Sequence, residues 1–364
     1  MKKYFNRALF YQYFYAGKLA ILLGVLVFSI VTYGNISNLF IDLKTNISSL
    51  ITNSMGYRAW SYLFVICIIL FGIYILMKGL NKRNNMSFLM GCPFSREEIK
   101  RNELLFLFTT LLFFVLLFIY LNLCYYFSHK EVLSISTNYI ISLVNDTIRL
   151  FFVGSIFIVY LSFIDMLFQN LILAIICMIG MPIIIIYNLV LLINLVYEFN
   201  IGQYIPNILE YIMDLFSCIL GYFMDGVVSF NYYNLVKNNS IGISIIFLVI
   251  IMFILIGLIL IRNINKKITE NKINKFFTFP IIRDILIVIF SFSIVNIILS
   301  RIIIYNTDRY IERFYTVYPE YITSGITPFS QNNGILYFIL SILSIIIVTA
   351  ILSKIVKVII NKRI

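Results

Sequence analysis

Eight runs of apolar residues, nearly all long enough to cross a bilayer, constrain this chain more than any other feature. They cover residues 19–33, 60–77, 104–127, 148–168, 171–197, 241–261, 285–305 and 335–355, the first being short unless it begins near Ala16. A helix needs about 20 mostly apolar residues to cross a hydrocarbon core of roughly 30 Å. The runs are unbroken, whereas the strands of a membrane barrel alternate apolar and polar residues over about ten positions. Composition agrees. Of 364 residues 61% are hydrophobic and 12% charged, with a mean hydropathy of +0.97, against about 25% charged in a soluble domain. A water-soluble fold of this composition would expose large apolar patches. The 34 Phe and 26 Tyr exclude a disordered chain. The expected fold class is an all-α polytopic membrane protein with about eight transmembrane helices.

The basic residues set the expected orientation. With the N-terminus in the cytoplasm, the inner segments hold 20 of the 28 Lys and Arg and 6 of the 16 Asp and Glu, a net +14 against −2 outside. Such a bias is the positive-inside pattern, and it places both termini in the cytoplasm. It also accounts for the overall +12 without nucleic acid, since no basic run is longer than orientation requires. The N-terminus has no small-residue cleavage site after an apolar core, so the first span is expected to stay as an anchor. Residues 3–15 interleave Tyr4, Phe5, Phe10, Tyr11, Phe14 and Tyr15 with Lys3 and Arg7, which suits a helix lying at the inner interface.

The most informative cytoplasmic stretch, 78–103, joins the second and third spans. Ser95-Arg96-Glu97-Glu98 fits a capping box, so Ser95 should start a helix that runs straight into the third span. Pro93 should end whatever precedes it. That leaves a short element carrying Met86, Phe88 and Leu89, then an elbow. Exposed Phe88 and Leu89 beside mixed charges would make a docking knob.

These features resemble an ABC type-2 exporter permease. Ser87-Phe88-Leu89 and Pro93-Phe94-Ser95-Arg96-Glu97-Glu98-Ile99 are similar to the xxLPFSRxEI segment of bacterial permeases in that superfamily. The nearest are Gram-positive permeases linked to cell-envelope stress and antimicrobial peptides; Gly91-Cys92 is a minor departure. The resemblance implies that residues 78–103 form a coupling loop. In it Phe88, Leu89, Pro93, Phe94, Ser95, Arg96, Glu97 and Glu98 would contact or shape the cleft of a cytoplasmic ABC ATPase subunit. It further implies a six-span core over 1–262, residues 263–364 then adding two spans and an outer loop at 306–334.

Between the fifth and sixth spans, Ile205, Ile208, Leu209, Ile212, Phe216 and Ile219 recur at helical spacing, with Glu210, Asp214, Ser217 and Gly221 on the other face. An outer amphipathic helix at 203–225 is expected. By the same resemblance it could re-enter the membrane as an outer gate formed by Ile208, Ile212, Phe216 and Ile219. Gly180 and Pro182 should kink the fifth span and could hinge it. Asn188, Asn194 and Asn296 could bond across helices. Arg301 should snorkel or pair with an outer carboxylate. Asp165 is placed near the inner end of the fourth span, and no acid near a span centre, which argues against a proton- or sodium-coupled pump.

The chain carries no G-x-x-x-x-G-K-[ST] motif. A single His129 cannot build a zinc site alone. The five cysteines lack CxxC spacing, and most read as small hydrophobes. The expectation is a permease subunit without enzymatic activity and without a cofactor of its own, ATP and Mg being held by the partner. It would act with a second permease chain, itself or a sister, in a bacterial cell membrane. An amphipathic peptide, antibiotic or lipid-like substrate suits its aromatic, nearly uncharged bundle. The alternatives are a polytopic enzyme acting on lipid-linked substrates, and a passive channel or sensor.

Overall fold

A computed structural model describes residues 6–45, 59–79, 94–133, 139–168, 170–199, 240–267, 279–319 and 333–363. Among these the chain is all-helical: α1 (Arg7–Thr45), α2 (Ala59–Lys78), α3 (Arg96–Ser128), the short α4 (Lys130–Leu133), α5 (Tyr139–Leu167), α6 (Leu171–Glu198), α7 (Ser240–Lys267), α8 (Pro280–Val317) and α9 (Asn333–Arg363). All but α4 are long and apolar enough to cross a membrane, so the described helices include eight candidate spans. The protein is an all-α, multi-pass membrane protein.

The chain packs as two compact units, one of Met1–Ala174 with Leu215–Phe276 and one of Ile175–Asp214 with Phe277–Ile364. The first holds α1 to α5 and α7; the second holds most of α6 with α8 and α9. This division differs from the sequence-based boundary at 262/263, because the fifth span groups with the last two.

In the first unit α3 is the centre. Ile99, Phe106, Leu107, Leu111, Phe114 and Phe118 fall on one side of the helix and are buried, forming one apolar stripe. Phe28 of α1 meets Phe114 edge-on at 5.5 Å, and Tyr62 of α2 lies 4.9 Å from Phe118. Leu19, Leu22, Leu26 and Ile30 point outward, as lipid-facing residues of a span do. Small residues let the helices approach. A Cβ on Gly24 would fall 2.7 Å from Ile69 of α2, and one on Gly257 of α7 would collide with Val159 of α5. Gly79 ends α2 with φ 68°, a left-handed cap that glycine adopts freely.

The N-terminal segment differs from a separate surface helix. From Arg7 it is continuous with the first span, and it turns Leu9 and Tyr13 inward. Phe10 meets Phe106 edge-on at 5.4 Å, while Tyr11, Phe14 and Tyr15 stay exposed. The alternation of Tyr and Phe therefore serves two faces, one on α3 and one outside. At the far end of the same helices, Tyr125 and Phe40 flank His129 at 4.4 and 4.6 Å, so the single histidine is a member of an aromatic cluster.

In the second unit Leu195 and Phe199 meet Val295 of α8 and Ile345 of α9 in an apolar core. Beside it, Asn188 donates to Ser293 Oγ at 2.7 Å, Asn296 donates to Asn188 Oδ1 at 2.8 Å, and Ser300 donates to Asn296 Oδ1 at 2.8 Å. The expected cross-helix bonds are present for Asn188 and Asn296, whereas Asn194 is exposed. Arg301, expected to snorkel or to pair with an outer carboxylate, is exposed and donates to the Tyr187 hydroxyl at 3.2 Å. The helix α8 continues past residue 305 to Val317 because Ile304 and Ile311 keep the helical spacing and pack on this core. The first part of the expected loop 306–334 is thus helical. Asn296→Ala should lower unfolding stability by about 1 kcal/mol, since it leaves Asn188 Oδ1 without the amide it accepts from and the Ser300 hydroxyl without its acceptor; denaturant unfolding of the purified protein measures it.

Candidate functional site

The capped helix start expected before the third span forms as its sequence dictates. Ser95 is extended, at φ −73° and ψ 149°. Its hydroxyl accepts from the Glu98 backbone N–H at 3.2 Å, and the Glu98 carboxylate accepts from the Ser95 N–H at 3.0 Å. The two bonds satisfy donors that a helix start leaves open. From there α3 runs 33 residues without a break, roughly 50 Å at 1.5 Å per residue. A displacement of Ser95 is therefore a displacement of the whole span.

Two further helices hold this end of α3, with the residue before the first of them. Asn265 of α7 donates to the Arg96 carbonyl at 3.3 Å, and Lys266 lies 3.9 Å from Glu97. Asn102, fully buried, donates to the Glu98 carbonyl at 2.8 Å and accepts from the Asn6 N–H at 3.0 Å. Tyr13 of α1 donates to the Ile99 carbonyl at 3.4 Å.

One turn deeper lies a cluster of four buried charges. Glu103 binds Lys78 of α2 at 2.6 Å and Lys100 at 2.7 Å. Asp165 of α5 lies 3.3 Å from Lys78 and 3.8 Å from Lys100. The side chains are 12%, 10%, 1% and 4% exposed for Lys78, Lys100, Glu103 and Asp165, so water screens them little. Fully buried Tyr74 faces Asp165 and lies under the Lys78 ammonium, 5.7 Å from ring to nitrogen. Two cations and two carboxylates balance, and desolvation is offset by mutual attraction in good geometry. The same contacts put the end of α2, the start of α3 and the end of α5 on one side, as alternating spans require.

Sequence reasoning counted Lys78 and Lys100 as orienting charges and did not anticipate this cluster. The signals were there: Lys100 and Glu103 at i, i+3 spacing, and Asp165 inside the apolar run 148–168. The balance is such that the +14 on the expected inner side is unchanged. A second buried pair was also missed. Arg149 of α5 is fully buried and binds Asp146 at 2.8 Å, with Tyr62 of α2 facing the same carboxylate.

Of the expected coupling residues, Phe94, Ser95, Arg96, Glu97 and Glu98 are brought together at the elbow, Ser95 and Glu97 being exposed and the others half-buried. Phe88, Leu89 and Pro93 lie outside the described residues. So do the outer helix 203–225 and its gate residues Ile208, Ile212, Phe216 and Ile219. Gly180 and Pro182 sit within α6, whose helical assignment passes through them. No family model, curated protein or solved structure matches the chain.

Proposed function

We propose that the chain is the permease subunit of an ATP-driven transporter of the ABC type-2 exporter kind, moving an amphipathic peptide, antibiotic or lipid-like substrate. The observation that carries this reading is the capped elbow at 94–98, joined without a break to a spanning helix and tied to its neighbours by buried polar contacts. A push at the elbow reaches α3 directly, α2 and α5 through the charge cluster, and α7 through Asn265. A loop would absorb that push; this arrangement transmits it. The energy comes from a separate cytoplasmic ATPase subunit that holds ATP and Mg, and a second permease chain completes the pathway. Alternating access follows when nucleotide-driven closure moves the elbow and the spans repack. In this reading the membrane is the bacterial cell membrane, and the termini face the ATPase.

Affinity purification of the full chain from native membranes should recover an ATPase. In the assembled complex, Arg96→Ala with Glu97→Ala should cut substrate-stimulated ATP hydrolysis about tenfold, the scale of a 1–3 kcal/mol coupling, with expression unchanged. Recovery without any ATPase, or hydrolysis indifferent to both substitutions, refutes the proposal.

A further inference from the structure

The second unit carries a slot of about 610 Å³ between α6, α8 and α9, walled chiefly by Ile185, Leu189, Val288, Phe292, Ile346 and Ala350. Ligand cavities commonly measure about 300–1,000 Å³. The few polar residues in the wall have their hydrogen bonds made. Asn188 gives its amide to the Ile184 carbonyl and Ser293 and accepts from Asn296. Thr349 and Ser353 return their hydroxyls to the carbonyls of Ile345 and Ala350. The slot asks for an apolar guest, and it lies among helices whose other faces expose isoleucine and leucine to hydrocarbon.

Its rim is cationic. Two rows of α9 that line the slot continue at helical spacing into lysines: Ile346, Ala350, Lys354, and Thr349, Ser353, Lys357. Each lysine is one turn, about 5.4 Å, beyond the lining residue before it. The start of α8 lies opposite, where Asp284 takes Lys357 at 2.6 Å and Arg283 at 3.3 Å. Lys357 and Arg283 thus share one carboxylate at the mouth of an apolar slot, with Lys354 on the same stretch of α9, and Lys354 and Lys357 are exposed. That is the charge and polarity pattern of a phosphodiester attached to a hydrocarbon chain.

We propose that this slot is a binding site for an anionic glycerophospholipid, one acyl chain lying between α6, α8 and α9 and the phosphate resting on Lys354, Lys357 and Arg283. The site stands independently of the permease reading. Basic residues at a membrane surface favour anionic headgroups, so the rim selects by charge while the slot holds the chain.

The test is a lipid titration of the delipidated full-length chain in detergent, read by native mass spectrometry. Phosphatidylglycerol should bind as one retained molecule, about tenfold more tightly than phosphatidylcholine of the same chain length. Lys354→Gln with Lys357→Gln should bring phosphatidylglycerol down to the level of phosphatidylcholine. Ala350→Phe should weaken both lipids by filling the slot; if it does not fold, Ile346→Trp at a half-exposed position fills the same space. Equal affinity for the two lipids, or variants that bind as the parent does, overturns the proposal. So does displacement of the lipid by excess inorganic phosphate, which marks a phosphate site, and so does a dimer abolished by filling the slot, which gives the groove to a second copy.

Discussion

Glu103→Leu should destabilise the protein by about 3–5 kcal/mol, the cost of leaving a buried charge without its partner. The substitution removes the 2.6 Å and 2.7 Å pairs with Lys78 and Lys100. What remains, Lys78 and Lys100 against Asp165, carries a net positive charge in a place water barely reaches. Against a typical total of about 5–15 kcal/mol, the loss is large. Replacing both members of one pair is different. Lys78→Met with Glu103→Leu leaves Lys100 and Asp165 facing each other at 3.8 Å, a neutral remainder, and apolar replacement of a complete buried pair is often neutral or stabilising. The double variant should therefore recover most of what the single one loses. Denaturant unfolding of the three purified proteins decides it: a single variant within 0.5 kcal/mol of the parent, the scatter of surface substitutions, would mean that the four charges are solvated.

The second large effect belongs to Gly154. A Cβ at that position of α5 would collide with Cδ1 of Leu111 and lie 3.2 Å from its Cγ, and Leu111 is itself fully buried in α3. Leu111 has nowhere to retreat. Gly154→Val should therefore force the two helices apart and cost about 1–3 kcal/mol, the range for overpacking. Gly180 of α6 is the natural control. A Cβ there meets nothing within 4 Å, so Gly180→Ala should stabilise by about 0.5–1 kcal/mol through lost chain entropy alone. Thermal unfolding of both variants separates the cases, since Gly154→Val should melt lower than the parent and Gly180→Ala no lower.

The spans were legible because twenty apolar residues in a row have few alternatives, and all eight runs lie largely within helices. The start of α3 was legible because a capping box is a local device: Ser95 and Glu98 satisfy each other without help from the rest of the chain. Partnership between helices was not legible. Lys78, Lys100, Glu103 and Asp165 are spread over nearly ninety positions, and nothing in their immediate neighbours reports that three helix ends converge. The same holds for the grouping of α6 with α8, which Asn188, Ser293 and Asn296 join across more than a hundred residues. For the site itself, the sequence named the elbow and missed what anchors it.

The order in which the four cluster charges are synthesised gives them two successive roles. Lys78, Lys100 and Glu103 emerge from the ribosome well before Asp165. Until the fourth span is made, this part of the chain carries an excess positive charge, and acids count little toward orientation. The lysines can thus hold the segment that joins the second and third spans on one side of the membrane while insertion is being decided. When α5 arrives, Asp165 neutralises the excess, and the charges that steered insertion become the interior of the finished bundle. A topological signal is converted into a structural contact. Asp165→Asn should accordingly insert with the correct orientation and fail afterwards, at assembly.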